Sequence, residues 1–519
     1  MYSIVSTAIV HGIESVPVCV EADVSDGMPV FEMVGFLSAE VREARERVRT
    51  ALKNSGYILP PKRITINLSP AYVRKSGSSF DLPIAIAVLA AMGVVKQEAI
   101  ENMIIIGEIS LNGRIQPVHG VLPIVAQAKE SMRKACMVPG LNCEEAQLVE
   151  GIHIVAVESI EEAIAILNGK QEEARLNQKM GRAEPGGEAC KEHVAQYLDF
   201  AEINGQEFVK RACEVAVSGM HNLLMIGPPG AGKTMIAQRI PSILPPMEQK
   251  EQLELSKIYS VCGLFLEKGR LLSTRPFRSP HHTISLQGLA GGGSIPKPGE
   301  ISLAHKGVLF LDELPEFKRE TVEILRQPLE EHVVRLVRLR GNYEYPADFM
   351  LVCAMNPCRC GYYPDLNRCT CSRSMLEQYL KKISQPLLDR IDLCVEAKRV
   401  DYKELVDKAV KTETSEQIRQ RVEAVFEIQR QRFMGTTISY NSRIPAALIP
   451  VYCKLGESEQ RYMERMYKKL NLTARTYHKI LKVARTIADL DKAADIEIRH
   501  LNEAVCYRNV DKKLWEGMG

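Results

Sequence analysis

One octapeptide constrains this chain more than any other feature. Gly227, Pro228, Pro229, Gly230, Ala231, Gly232, Lys233 and Thr234 follow the apolar run Leu223-Leu224-Met225-Ile226 without a break and lead straight into Met235-Ile236-Ala237-Gln238-Arg239-Ile240. Strand, glycine-rich turn and helix in that order make a phosphate-binding loop, because the glycines let successive backbone N–H groups point into one concavity at a helix start. Lys233 then reaches the terminal phosphates of a nucleoside triphosphate and the Thr234 hydroxyl ligates Mg²⁺. An α/β fold carrying ATP and Mg²⁺ is the expectation.

Such octapeptides recur by chance, and phosphoryl transfer needs further parts. Val308-Leu309-Phe310-Leu311 is apolar without alternation, as in a parallel strand buried on both faces, and it ends in Asp312 and Glu313. Asp312 is placed to hold Mg²⁺ through water, and Glu313 to polarise the attacking water. A third run from Phe349 to Met355 ends at Asn356, whose side chain could set that water against the γ-phosphate.

At 519 residues there is room for about two to four domains. The net charge of +3 spreads no strong field over the molecule, so nucleic-acid binding would have to come from local patches. Fourteen cysteines without a basic, apolar leader point to thiols in a reducing compartment. No run approaches the roughly 18 apolar residues of a membrane span. A cytoplasmic protein with no membrane segment is expected.

A polar, turn-rich stretch over 171–197 divides an N-terminal domain, 1–170, from the nucleotide-binding module, 198–398. From 399 to 519 the pattern turns helical, with apolar spacings of three and four over 401–412, 415–433, 457–470, 473–490 and 496–508, a helical lid after an α/β core. The stretch from Val333 to Tyr345 alternates and turns at Arg340-Gly341-Asn342, which predicts a β-hairpin with Arg335, Arg338 and Arg340 on a basic face. Cys358-Arg359-Cys360 and Cys369-Thr370-Cys371 bracket an eight-residue loop. Four thiols from two such turns can surround one tetrahedral Zn²⁺, or stay as free or redox-labile thiols.

The stretches Phe277-Arg278-Ser279-Pro280-His281-His282-Thr283, Gly291-Gly292-Gly293, Pro298-Gly299-Glu300-Ile301-Ser302-Leu303-Ala304-His305 and Leu325-Arg326-Gln327-Pro328-Leu329-Glu330 form a pattern that resembles the ComM/YifB family, with a magnesium-chelatase-like AAA+ core. The resemblance covers essentially the whole chain. It implies ATP hydrolysis in a homo-oligomeric ring, a hexamer by family analogy. Pro386-Leu387-Leu388-Asp389-Arg390-Ile391-Asp392 is similar to the arginine-finger motif, which implies that Arg390 reaches a neighbouring subunit's γ-phosphate. A planar guanidinium that cannot lose its proton suits that task. Leu472-Thr473-Ala474-Arg475 resembles the second-sensor motif, which implies that Arg475 stands over the phosphates of its own subunit. The family's clade inserts the pre-sensor hairpin into the ring pore, which makes Arg335, Arg338 and Arg340 candidate DNA contacts, electrostatic and insensitive to sequence. The same residues also fit a solvated hairpin face. Segment 276–300, with Arg278, His281, His282 and Lys297, would be a second pore-directed insertion.

In the N-terminal domain, Lys75-Ser76-Gly77-Ser78-Ser79-Phe80-Asp81-Leu82-Pro83 is similar to the nucleophile region of the α+β Lon-protease (S5-like) fold. A Ser/Lys peptidase would use Ser79 with a lysine base, and Leu122 stands where that lysine is needed, so the serine is expected to stay protonated and inert. His119 is the one substitute base at hand. Arg42, Arg45, Arg47 and Arg49 alternate with Glu40, Glu43 and Glu46, which reads as a solvated, salt-bridged helix face. The sequence therefore points to an ATP-hydrolysing motor on DNA, of the helicase or branch-migration type that the family associates with recombination of transforming DNA. The alternative is a chelatase-like or chaperone-like ATPase remodelling a protein partner. An ATP-dependent protease is disfavoured by Leu122.

Overall fold

Two main sheets organise the chain, one mixed and one all parallel, each wrapped by its own helices. The computed structural model describes residues 1–170, 198–264, 270–293, 296–338, 341–365, 367–399 and 412–508.

The first sheet is mixed. Strands β1 (Tyr2–His11), β2 (Glu14–Ser25), β3 (Val30–Val34), β4 (Arg63–Ser69), β5 (Met103–Ile105), β8 (Ala135–Pro139) and β9 (His153–Val157) run in the order β3-β4-β2-β1-β5-β8-β9, with β6 (Glu108–Ile109) and β7 (Ile115–Gln116) paired to one side. β1 and β2 alternate buried and exposed residues, as an antiparallel hairpin with one covered face must. The covering helix, Asp81–Ala91, is apolar all round and almost wholly buried, the signature of a central core helix. Helix Ala39–Asn54 buries Val41, Ala44, Val48, Ala51 and Leu52 and turns most of its arginines outward. Arg47 is the exception: it folds inward and forks onto buried Asp81 with contacts of 2.8 and 2.9 Å. Leu122 lies fully buried in an apolar cluster under the sheet, so that position offers no base to Ser79. The His119 ring lies against Gly263 at the end of helix Gln249–Cys262 and stays exposed.

The second sheet is all parallel. Strands β10 (Leu223–Ile226), β11 (Phe277–Arg278), β14 (Val308–Leu311), β17 (Met350–Met355) and β18 (Leu393–Glu396) stand in the order β11-β14-β17-β10-β18. Every residue of β10, β14 and β17 is buried, which is why these runs show no alternation. A short antiparallel pair, β12 (Gly291–Gly292) with β13 (Lys297–Pro298), and the hairpin β15 (Val333–Arg338) with β16 (Gly341–Pro346) project from this core. In register, Ile226 lies opposite Met355 and Leu311 opposite Cys353. The strands therefore end together, and the residues that follow them share one carboxyl edge.

Helices Ser415–Arg432, Glu457–Lys469, Ala474–Leu490 and Ile498–Cys506 form the C-terminal region. The helix expected over 401–412 lies outside the described residues, apart from Thr412. Helix Ala474–Leu490 packs along helix Glu207–Gly219, and His221 beside it bonds Thr486 at 2.8 Å. No helix among the described residues is long and apolar enough to cross a membrane.

Candidate active site

The phosphate loop leaves β10 at Gly227, where any Cβ would collide with the carbonyl of Ala397, so only glycine fits this approach to β18. The loop then turns through left-handed Gly230 and Gly232 into helix Lys233–Arg239. Lys233 is folded back into the loop: its Nζ donates to the carbonyls of Gly227 at 2.7 Å and Pro228 at 3.0 Å, and to Asn356 Oδ1 at 3.1 Å. Burial lowers its pKa, against the pull of the Asp312 and Glu313 carboxylates. A bound polyphosphate would replace neutral acceptors with charged ones and raise that pKa again.

Thr234 Oγ1 donates to Asp312 Oδ2 at 2.6 Å. The two oxygens converge from neighbouring elements and offer the all-oxygen donor set that Mg²⁺ takes. Glu313 sits in the left-handed region at φ 50°, a strained backbone that turns its carboxylate into the open site. His282 Nδ1 stands 3.7 Å from Glu313 Oε2. Asn356 is held from behind, its carbonyl accepting from the Tyr379 hydroxyl at 3.2 Å. Beside the loop lies a cavity of about 490 Å³, lined by Ile203, Gln206, Gly230, Met235 and Arg399 among others, which suits the remainder of a nucleotide.

Arg390 is on the other side of the sheet. Its carbonyl accepts from Asn222 Nδ2 at 2.9 Å, at the amino end of β10, and its guanidinium lies against Glu330 Oε1 at 2.5 Å. Five residues of strand, about 16 Å, separate Asn222 from Gly227. Arg475 lies at that same far edge: it is 71% exposed and its Nη1 is 3.9 Å from Asp389 Oδ2. Lys479, one turn further along the helix, donates to the carbonyl of Ile391 at 2.9 Å. The placement over its own subunit's phosphates, implied by resemblance, is thus not what the fold gives. The helix is docked on the amino edge, which leaves Arg475 next to Arg390.

The other sites differ in how they come together. Arg335 is engaged by Glu344 at 2.7 Å and by Glu331, so its charge is largely compensated within the hairpin. Arg338 reaches toward Gly292, and Arg340 lies outside the described residues. The hairpin is bolted to the N-terminal half: His11 Nε2 is 2.9 Å from the carbonyl of Asn342, and its ring stacks on Tyr343 at 4.4 Å. Arg278 is not free to face a pore, since Glu300 holds it with contacts of 2.6 and 2.7 Å. The sulfurs of Cys358, Cys360, Cys369 and Cys371 gather within 4.8 Å of one another. His282, Tyr379 and Arg399 were not singled out for the nucleotide site from sequence. His282 had a signal, the paired histidines after β11, but nothing local aims it at Glu313.

Three matches to magnesium-chelatase family models tile this chain: subunit ChlI of Mg-chelatase over 20–142, magnesium chelatase subunit ChlI over 199–405, and the ChlI C-terminal region over 412–508. Full-length relatives carry the comparison further. The uncharacterized protein YifB of Salmonella typhimurium is 41% identical with 98% of each chain covered, and competence protein ComM of Haemophilus influenzae is 40% identical over 96% of this chain and 95% of its own. The chain belongs to the ComM/YifB family. Its core is accordingly of the magnesium-chelatase-like AAA+ ATPase type. A shorter similarity, 31% over 147 residues, joins 27% of the chain to Lon protease 2 of Bacillus subtilis.

Proposed function

We propose that this protein is an oligomeric ATPase that uses hydrolysis to move on or remodel DNA. The observation that carries the proposal is the division of the chemistry between two edges of one sheet. Lys233, Thr234, Asp312, Glu313 and Asn356 gather at the carboxyl edge, while Arg390 and Arg475 stand at the amino edge. A subunit with this layout has Lys233 at its phosphate site and keeps Arg390 and Arg475 away from that site, at the far edge. Stacking subunits head to tail completes every site, and closure of such a stack gives a ring. Six subunits is the number family analogy supplies.

In the completed site the loop backbone and Lys233 hold the β- and γ-phosphates, and Thr234 with Asp312 would hold Mg²⁺. That ion would neutralise charge between the phosphates. Glu313 accepts a proton from the attacking water, Asn356 orients that water, and Arg390 of the next subunit stabilises the charge on the transferred group. The name of the Haemophilus relative, competence protein, is in keeping with the setting that the family resemblance implies, recombination of transforming DNA, and the β15–β16 hairpin would be the DNA contact. The test is displacement or branch migration of a labelled strand on forked and four-way DNA with ATP. Movement that needs ATP supports the proposal, and hydrolysis without any movement on DNA turns it toward a protein substrate.

A further inference from the structure

The loop that carries the four cysteines lies against the phosphate loop. A Cβ on Gly361 would overlap the ring of Pro229, so the turn after Cys360 rests directly on the phosphate loop. The next residue, Tyr362, places its ring 5.4 Å from the guanidinium of Arg399, whose Nη2 also reaches the Tyr362 hydroxyl at 3.5 Å. Arg399 lines the nucleotide cavity. Two successive residues of the cysteine loop thus touch two walls of the site, one beneath the phosphates and one beside the cavity.

The cysteines themselves are spaced for a single ion. Cys358 Sγ lies 3.3 Å from Cys360 Sγ and 3.8 Å from Cys369 Sγ, with 3.6 Å between the last two. A tetrahedral Zn²⁺ with bonds of about 2.3 Å spaces its four sulfurs about 3.8 Å apart. The backbone N–H groups of Gly361 and Tyr363 donate to Cys358 Sγ at 3.2 and 3.4 Å, the support that orients and stabilises a metal-bound thiolate. A polynuclear iron–sulfur cluster interposes its own irons and sulfides and needs its thiolates farther apart.

We propose that Cys358, Cys360, Cys369 and Cys371 hold one Zn²⁺, and that this ion braces the nucleotide site by fixing Gly361 against Pro229 and Tyr362 against Arg399. The inference rests on the ATP reading above. Short loops with no hydrophobic core of their own depend on such an ion for their shape. Losing it frees Gly361 and Tyr362 together, and the phosphate loop loses its outer support.

The experiment measures zinc by mass spectrometry on the purified full chain, together with the affinity of a fluorescent ATP analogue. Wild type should carry one zinc per chain. Cys369→Ser with Cys371→Ser should lose the zinc and bind the analogue about 10-fold more weakly, the size that supporting shells commonly carry. Gly361→Ala should keep the zinc yet lose comparable affinity, because the added methyl pushes on Pro229, and this arm decides the matter if the serine variant does not fold. Wild type without stoichiometric zinc, iron in its place, or a zinc-free variant with unchanged affinity would overturn the proposal. Wild type that carries zinc but binds no analogue would overturn the nucleotide reading itself.

Discussion

The ammonium of Lys233 donates to Asn356 Oδ1 at 3.1 Å, joining the start of the helix after the phosphate loop to the end of β17, 123 residues further along the chain. In the proposed mechanism the contact ties the phosphate-binding cation to the group that orients water, and substitution can separate the two. Lys233→Ala should abolish binding of a fluorescent ATP analogue. Asn356→Ala should leave that binding within a few-fold and lower kcat by about 10²-fold, as removal of a single positioned polar group does. Equal loss of binding in both would contradict the assignment.

Arg390 and Arg475 share the amino edge of the sheet, and subunit mixing tests whether both act on a neighbour. Arg390→Ala should lose about 10³-fold in kcat, in the range of trans-acting arginines. Mixing inactive Lys233→Ala with inactive Arg390→Ala should restore hydrolysis, since intact arginines then meet intact phosphate loops. Mixing Arg390→Ala with Arg475→Ala should restore nothing, because no single face carries both. Recovery in that second mixture would show Arg475 acting on its own subunit's nucleotide.

Much of this was legible in the sequence. The parallel core could be read because strands buried on both faces are written as unbroken apolar runs, and the residues that end three of them fall at one edge whatever the strand order. Docking partners could not be read. Helical periodicity shows that Ala474–Leu490 buries one face, but it does not tell which edge of the sheet receives it, and that edge decides where Arg475 points. Gly361 on Pro229 and His282 by Glu313 depend on loops converging from distant parts of the chain, which no local pattern records.

Asp348 gathers charge from three elements: Lys306 at 2.9 Å, Arg443 at 2.8 Å and His332 at 3.9 Å. Burial pushes its carboxyl up, and Arg443 and Lys306 more than reverse this, holding it well below the usual carboxylate range. Asp348→Ala leaves Arg443 without its carboxylate and Lys306 with only the longer contact to Glu251 at 3.8 Å, and should cost about 3–5 kcal/mol in the stability of the core, read by denaturant unfolding.

The same cluster fixes the sign of the acid response. His332 is lowered to about 4, by burial first and then by Arg443, so the unfolded chain binds its proton earlier and stability falls as pH drops from about 6.5 toward 4. Asp348, with its depressed folded pKa, contributes stability that is present above about pH 4 and lost below it. His332→Gln should flatten the upper part of that decline in melting temperature and leave the lower part. An unchanged profile would contradict the linkage.

In the hairpin, Arg335 is compensated by Glu331 and Glu344, whereas Arg338 has no carboxylate partner in an ion pair among the described residues. Arg338→Ala should reduce the salt dependence of DNA binding by about one phosphate's worth, and Arg335→Ala by less, in a fluorescence-anisotropy titration over salt. The reverse order would place the DNA path elsewhere.

The central claim, an ATPase driven by a ring and spent on DNA, is tested most directly by steady-state ATP hydrolysis with and without single-stranded, duplex and forked DNA. Wild type should hydrolyse ATP and be stimulated several-fold by DNA, Lys233→Ala should do neither, and Arg338→Ala should keep basal hydrolysis while losing part of the stimulation. Lys233-dependent hydrolysis that no DNA changes would contradict the DNA motor and leave an ATPase that remodels a protein.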